Sequence, residues 1–178
     1  MQIQQGHVHL FHIWISLPKG LTEYQIPSRV VRSSEIPLYS PVDGLTIRAL
    51  VGKSGTIQSK ICLEYPVAVL EFTCKEKMYY RLPVTQSTCF VYVTHGSGSF
   101  GANQTPANEG ENLVFGRGDD LSFTSSSDGL SFLLLSGETS REPVCRHGSI
   151  IAKSRRDMVR LFAEQAMFKF TRNRHRPH

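Results

Sequence analysis

The sequence predicts an all-β fold, a barrel or a sandwich, followed by a single C-terminal helix. Runs of residues that are rich in β-branched and aromatic side chains alternate between apolar and polar positions, as half-buried strands do. Turn residues separate these runs about every eight to twelve positions, a spacing typical of β-barrels and sandwiches. Apolar residues at helical spacing are clear only near the C-terminus.

The predicted strands are separated by recognisable turns. The first strand is Leu10–Leu17, which Pro18-Lys19-Gly20 ends. A polar connection with several prolines then leads to the turn Asp43-Gly44, and later breaks are predicted at the loop Gly96–Gly110 and the turn Ser125–Gly129. The remaining predicted strands are Leu45–Val51, Ile57–Leu63, Val67–Thr73, Cys89–Thr94, Asn112–Phe115, Leu121–Thr124 and Leu130–Leu135.

The predicted C-terminal helix has a recognisable start. Ser154 and Asp157 form the S-x-x-D pattern of a capping box. Met158, Leu161 and Phe162 follow at the spacing of one helix face. We therefore divide the chain into an N-terminal remnant (1–9), one domain with its helix (10–170) and a basic tail (171–178).

Length and composition exclude several classes of protein. The chain has 178 residues, of which 40% are hydrophobic and 20% charged, which is typical of a globular domain and not of a disordered chain. The longest apolar run, around Leu130–Leu135, is too short to span a membrane. The N-terminus lacks the basic and apolar regions of a secretory signal. The four cysteines form no C-x-x-C pair, so we expect reduced, buried thiols and an intracellular location, in the nucleus or cytoplasm.

The positive charge of the chain is concentrated at its C-terminal end. Residues 153–178 carry eight of the 20 Lys and Arg residues but two of the 15 Asp and Glu residues, so they account for the net charge of +5. Arg155, Arg156 and Arg160 are the candidate residues for binding a partner. The alternative is an ordinary solvated helix face. Since no nucleic-acid-binding module is visible, we do not expect direct nucleic-acid binding.

Histidines near the N-terminus are weak candidates for a metal site. His7 and His9 point the same way if this segment is a strand. Glu109, Glu111 or His95 would have to complete the ligand set, because a metal needs several converging ligands. The alternative is that these histidines are exposed to solvent and bind nothing.

Six segments in a fixed order resemble one known family. The resemblance runs from about residue 10 to about residue 165, and its segments are LFHIWISLP (10–18), SSEIP (33–37), DGLTIRALVGKSGTIQSK (43–60), FVYVTHGSGSFG (90–101), LVFGRGDDLSF (113–123) and FLLLSGETSREPVCRHG (132–148). These segments are similar to those of pirins, which are proteins with two cupin domains. The resemblance implies a cupin-like, double-stranded β-helix barrel that corresponds to the C-terminal half of a pirin.

The resemblance also implies what this half lacks. In pirins, three histidines and a glutamate of the N-terminal barrel hold an iron ion, and that barrel has no counterpart in this sequence. We therefore carry over no catalytic, cofactor-binding or metal-binding residue, and we expect no cofactor in this chain. The sequence departs from the family pattern at 74–78, CKEKM, and at 148–153, GSIIAK.

Three functional interpretations remain open. The first is a protein-interaction scaffold without iron, related to nuclear transcriptional cofactors. It would bind a protein partner, and self-association through the Leu10–Leu17 strand is a further option. The second is a metal-dependent oxidoreductase of the quercetin 2,3-dioxygenase type, which would need a metal site supplied by His7 and His9 or by another chain. The third is a truncated fragment without a function of its own. We expect no catalysis from the chain alone.

Overall fold

The computed structural model of the chain describes residues 10–18, 20, 28–148 and 150–173, with side chains as far as residue 164. These residues fall into two compact units. The larger unit lies within residues 26–139, and the smaller unit combines the N-terminal segment with residues 140–178. None of the helices in the described ranges is both long enough and apolar enough to cross a bilayer.

The larger unit is built on one antiparallel sheet that contains nine described strands. The main path through the sheet is β1-β2-β4-β9-β6-β7, while β3 pairs with β2, β5 with β9, and β8 with β6. A short 3-10 helix, Ser33–Glu35, precedes the first strand. The strands are β1 (Leu38–Tyr39), β2 (Leu45–Ser54), β3 (Ile57–Gln58), β4 (Val67–Cys74), β5 (Tyr79–Pro83), β6 (Thr88–Phe100), β7 (Thr105–Asn108), β8 (Asn112–Phe115) and β9 (Asp120–Gly137).

Alternation along the central strands places one side of the sheet in the core. In β2, Leu45, Ile47 and Ala49 are buried while their neighbours are partly exposed. The alternation then shifts by one residue at a bulge between Ala49 and Val51. Gly52 follows at φ +76°, and a Cβ atom there would lie 1.6 Å from the carbonyl oxygen of Val67. The bulge therefore requires glycine at this position.

Strand β9 corrects one sequence prediction. Ser125–Gly129 was expected to be a turn between two strands, but β9 runs through it without a break. The ladder between β6 and β9 shifts register here instead, where Gly129 at φ +75° lies against Gly96 of β6 at φ +72°. Ser125 stabilises this irregularity, since its hydroxyl donates to the carbonyl of Lys75 at 2.6 Å. Turn-forming residues thus mark a bulge within a strand, not its end.

Three other boundaries differ from the prediction. The predicted loop Gly96–Gly110 contains the end of β6 and all of β7, because the glycines extend a hairpin that pairs residues 97–100 with 105–108. Of the predicted strand Ile57–Leu63, just Ile57–Gln58 pairs with β2. Strand β5, Tyr79–Pro83, was not predicted. It ends in a proline and lies against β9, where pairing with a long neighbour sets its limits.

The prediction of a strand at Leu10–Leu17 is wrong. These residues form no strand in the structure, although their composition favours one. A strand is stabilised by hydrogen bonds to a neighbouring strand, and no ladder within the described part of the chain includes this segment. Several of its apolar side chains are exposed, including Leu10 at 84% and Trp14 at 49%.

The smaller unit contains a hairpin and the C-terminal helix. Strands β10 (Cys145–His147) and β11 (Ile150–Ala152) pair with each other, and α1 (Arg155–Asn173) packs against both. The predicted start of the helix is confirmed, because the backbone N–H of Asp157 donates to Ser154 Oγ at 3.1 Å. The helix continues three residues into the predicted basic tail 171–178.

These features confirm the predicted all-β fold with one C-terminal helix. The interior of the larger unit is apolar, and its largest fully buried side chains are phenylalanines. The polar stretch expected to be a simple connection holds the 3-10 helix and β1, which Arg48 secures by donating to Ser33 Oγ at 2.9 Å. Arg48 also forms an ion pair with Glu71 at 2.7 Å across the β2–β4 ladder.

Candidate functional site

Phenylalanine rings fill the interior of the barrel. Phe72, Phe100, Phe123 and Phe132 are all at most 1% exposed. The rings of Phe72 and Phe132 are stacked with their centroids 4.6 Å apart, and Phe123 meets Phe132 edge-on at 4.9 Å. These are favourable aromatic geometries in a well-packed core. In this region the barrel therefore has an apolar, solid centre.

The described histidines stand at separate positions and have different partners. His95 Nδ1 is 3.3 Å from Glu109 Oε2, and both side chains are mostly exposed. His12 lies against Trp14, and His147 contacts Phe162 edge-on. Two of the three residues considered for completing a metal-ligand set, His95 and Glu109, thus form an exposed pair with each other.

An iron ion of the kind that the family resemblance implies does not fit the described residues. Among them, no three His, Cys, Asp or Glu side chains are grouped as a metal ion requires. The phenylalanine rings offer no donor atoms in the barrel interior. The metal candidates His7 and His9 lie outside the described residues, so the prediction for them stays a prediction.

The cysteines divide into two kinds. Cys74 and Cys89 are buried, and burial raises the pKa of each thiol to about 11. Their thiols are therefore protonated at neutral pH and poor nucleophiles. Cys62 is exposed and Cys145 is partly exposed, so the expectation of buried thiols holds for two of the four. All four are free of disulfide bonds, as predicted.

The three candidate arginines lie on the first two turns of α1 and are exposed. Arg156 and Arg160 are four residues apart and share one face, while Arg155 is turned about 100° from Arg156. Arg160 Nε is 3.7 Å from Glu164 Oε1 on the next turn. Positive side chains at a helix N-terminus add to the positive end of the helix dipole. The arginines therefore create a positive surface at a position where they do not stabilise the helix.

A groove beside these arginines was not predicted from the sequence. It lies within the smaller unit and has a volume of about 880 Å³. Its walls come from the N-terminal segment, the hairpin and the helix, with apolar lining residues Ile13, Trp14, Ile15, Leu17, Val144, Ile151, Ala152 and Leu161 and polar lining residues Ser16, Lys153, Asp157 and Arg160. The alternation of Leu10–Leu17 was the available signal, but it was interpreted as a strand.

The aromatic residues divide between the two units. Phe123 and Phe132 line the barrel of the larger unit, whereas Phe11 and Trp14 belong to the smaller unit and are 39% and 49% exposed. They are therefore surface residues in this structure. The groove and the arginines of α1 together form the candidate site. Its exposed apolar and positively charged side chains are typical of a surface that binds another molecule.

Comparison with known proteins identifies the family. Residues 69–171 match the Pirin C-terminal cupin domain. A pirin-like protein of Arabidopsis thaliana is 32% identical over 158 residues, covering 86% of this chain and 56% of that protein. Human pirin is 25% identical over 162 residues, covering 89% of this chain and 56% of that protein. The chain thus spans about half the length of the relatives it matches.

Solved structures show the same fold. A quercetin 2,3-dioxygenase from Acinetobacter baumannii superposes with a TM-score of 0.70 at 17% identity, covering 79% of this chain and 49% of that chain. A protein from Geobacillus kaustophilus has a TM-score of 0.57 at 28% identity, covering 64% of this chain and 47% of that one. The predicted cupin-like barrel is confirmed, and the chain belongs to the pirin family, which it matches through the C-terminal cupin domain.

Proposed function

We propose that this chain is a non-catalytic pirin-type domain that works as a protein-interaction scaffold and holds no iron of its own. The observation that carries the proposal is the barrel interior, where four buried phenylalanines occupy the space that a cofactor and substrate would need. Small β-barrels either fill their interior with side chains or hold a ligand there, and this one is filled.

Redox chemistry would require a different interior. A metal that activates oxygen needs several protein ligands and an open coordination position. The described histidines stand instead at separate positions, and two of them contact aromatic rings. Catalysis would therefore depend on ligands from outside the described residues, or on a second polypeptide.

The arginines of α1 supply the surface for a partner in this proposal. Arg155, Arg156 and Arg160 are exposed at the positive end of the helix, so their combined field attracts acidic groups. Exposed cations of this kind increase association rates and select partners of opposite charge. The family resemblance extends the proposal to a role as a transcriptional cofactor in the nucleus.

Metal content and oxygen consumption test the proposal directly. The folded protein would be analysed for iron, copper, nickel and zinc, and oxygen uptake would be followed with quercetin after incubation with each metal. We expect metal far below one ion per chain and no uptake that depends on quercetin. Stoichiometric metal together with quercetin-dependent uptake would overturn the proposal, and loss of both in His7→Ala/His9→Ala would assign the ligands.

A charge-reversal experiment tests the partner surface. Arg155→Glu/Arg156→Glu/Arg160→Glu would be compared with a control of equal charge change at exposed positions of the larger unit, Lys53→Glu/Lys60→Glu/Arg117→Glu. We expect proteins retained from a nuclear extract by the wild type and the control to be lost by the helix variant. Identical retention by all three proteins would contradict a role for these arginines.

A further inference from the structure

The groove of the smaller unit has an apolar floor that is open to solvent. Its volume of about 880 Å³ is at the upper end of the range for binding pockets. Three of its lining residues are exposed to solvent, Trp14 at 49%, Val144 at 52% and Ile13 at 38%. Contiguous exposed apolar surface of this kind is uncommon unless something binds there.

Two charged side chains that line the groove, Lys153 and Asp157, are already engaged in contacts within the smaller unit and are not available to a ligand. Lys153 Nζ donates to Ser16 Oγ at 2.9 Å and is 3.3 Å from Glu142 Oε2, with 15% of its side chain exposed. Asp157 accepts from the hydroxyl of Ser154 at 2.6 Å. Both of these charged groups are therefore engaged in holding the unit together.

The charge presented outward beside the groove is positive. Arg160 lines the groove and is exposed, and Arg156 lies one helical turn before it on the same face. The ion pair of Arg160 with Glu164 is exposed and long at 3.7 Å, so it competes weakly with another carboxylate. The apolar residues of the groove, with Arg156 and Arg160 beside them, are therefore complementary to a segment that is apolar on one side and acidic on the other.

We propose that this groove binds an acidic amphipathic helix of a partner protein, which deepens the proposed scaffold function and rests on it. Apolar side chains at positions i, i+3, i+4 and i+7 of the partner enter the groove between Trp14 and Leu161. Its carboxylates face Arg156 and Arg160. A second copy of this chain is a poorer occupant because its net charge is +5 and its own helix brings the same arginines.

Trp14 makes the proposal directly measurable, because it is the single tryptophan of the sequence. The probe is a labelled 14-residue peptide without tryptophan, with Leu and Phe at the four helical positions and mostly Glu elsewhere. A control peptide has the same composition in an order that breaks the helical spacing. We expect the first peptide to shift Trp14 emission to shorter wavelength and to raise its own anisotropy, and the control peptide to bind at least about tenfold more weakly.

Two variants separate the charge from the apolar floor. Arg156→Glu/Arg160→Glu should weaken binding at least about tenfold, whereas Lys53→Glu/Lys60→Glu should leave it unchanged. Val144→Ser should weaken binding without changing its salt dependence. For the wild type, raising the ionic strength from about 0.15 M to about 1 M shortens the Debye length from about 8 Å to about 3 Å and should weaken binding in the same way as the arginine variant.

Several results would overturn the inference. They are equal binding of the two peptides, no emission shift with either peptide, and an arginine variant that binds as well as the wild type. An emission shift that appears on concentrating the protein alone would assign the groove to a second copy. A shift with vesicles of anionic lipid but not with peptide would assign it to a membrane surface. None of these outcomes affects the metal and oxygen measurements, so failure of the inference is distinguishable from failure of the proposed function.

Discussion

Phe132 offers the most direct test of the filled barrel. It is fully buried at the centre of the ring cluster, stacked on Phe72 at 4.6 Å and edge-on to Phe123 and Phe100 at 4.9 and 5.3 Å. Truncation of such a residue to alanine removes about 3–5 kcal/mol of stability through lost burial and the cavity left behind. We therefore expect the free energy of unfolding to fall by about 4 kcal/mol in Phe132→Ala.

A second substitution separates ring geometry from volume. Phe132→Leu retains an apolar side chain but loses the aromatic contacts, each worth about 0.5–1.5 kcal/mol, so we expect a loss of about 1–2 kcal/mol. In a double-mutant cycle, Phe72→Leu combined with Phe132→Leu should show a coupling of about 1 kcal/mol, since the two rings stack directly.

Urea unfolding followed by circular dichroism of the sheet measures these losses. The control is Val114→Ala, an apolar truncation at a residue of the same unit that is 76% exposed, for which we expect less than about 0.5 kcal/mol. A loss below about 1 kcal/mol in Phe132→Ala would refute the reasoning, because it would mean that the interior tolerates a void. An interior with such tolerance could also hold a ligand, and the proposed function would then lose its main support.

Three further predictions concern the backbone, the thiols and the helix cap. Gly52→Ala should destabilise the protein by more than about 2 kcal/mol, whereas Gly110→Ala, which also has positive φ but open space, should cost about 1 kcal/mol in the same urea assay. The thiols of Cys74 and Cys89 have a pKa of about 11 in the folded protein against an ordinary 9.0. Their contribution to the free energy of unfolding is therefore complete below pH 9 and is lost as the pH rises towards 11. Unfolding measured across this range should show a loss of about 2–3 kcal/mol per thiol that Cys→Ala variants do not show. Ser154→Ala should lower helix stability by about 1 kcal/mol, seen as faster amide exchange in the first turn of α1.

Local patterns predicted the centre of the sheet well. The alternation of Leu45–Val51 and Val67–Thr73 matches β2 and β4 closely, because alternate residues of these strands are buried, with Val69 as an additional buried residue, and the period of a strand is two. The helix start was equally clear, since Ser154 and Asp157 interact with each other across one turn. In each case the physical cause lies within a few residues of the chain.

The failures have non-local causes. Glycine and serine at Ser125–Gly129 are ordinary turn residues, and β9 continues through them because partners on both sides hold the two halves of the strand. Leu10–Leu17 has the composition of a strand but no ladder, and its side chains form a groove with residues more than 120 positions away. Such an arrangement has no signature in a local pattern, so the candidate site became visible from the structure.

The placement of β9 has a consequence for the order in which the chain can fold during synthesis. Strands β4, β5 and β6 all pair with β9, and all three precede it in the sequence. Until residue 137 leaves the ribosome, the edges of these strands that pair with β9 therefore have no partner. The β2–β4 pair can form early, but the barrel closes after its last long strand has been made. The growing chain is thus most exposed to mispairing with its neighbours on a polysome just before β9 emerges, which makes this interval the natural point for a chaperone to act.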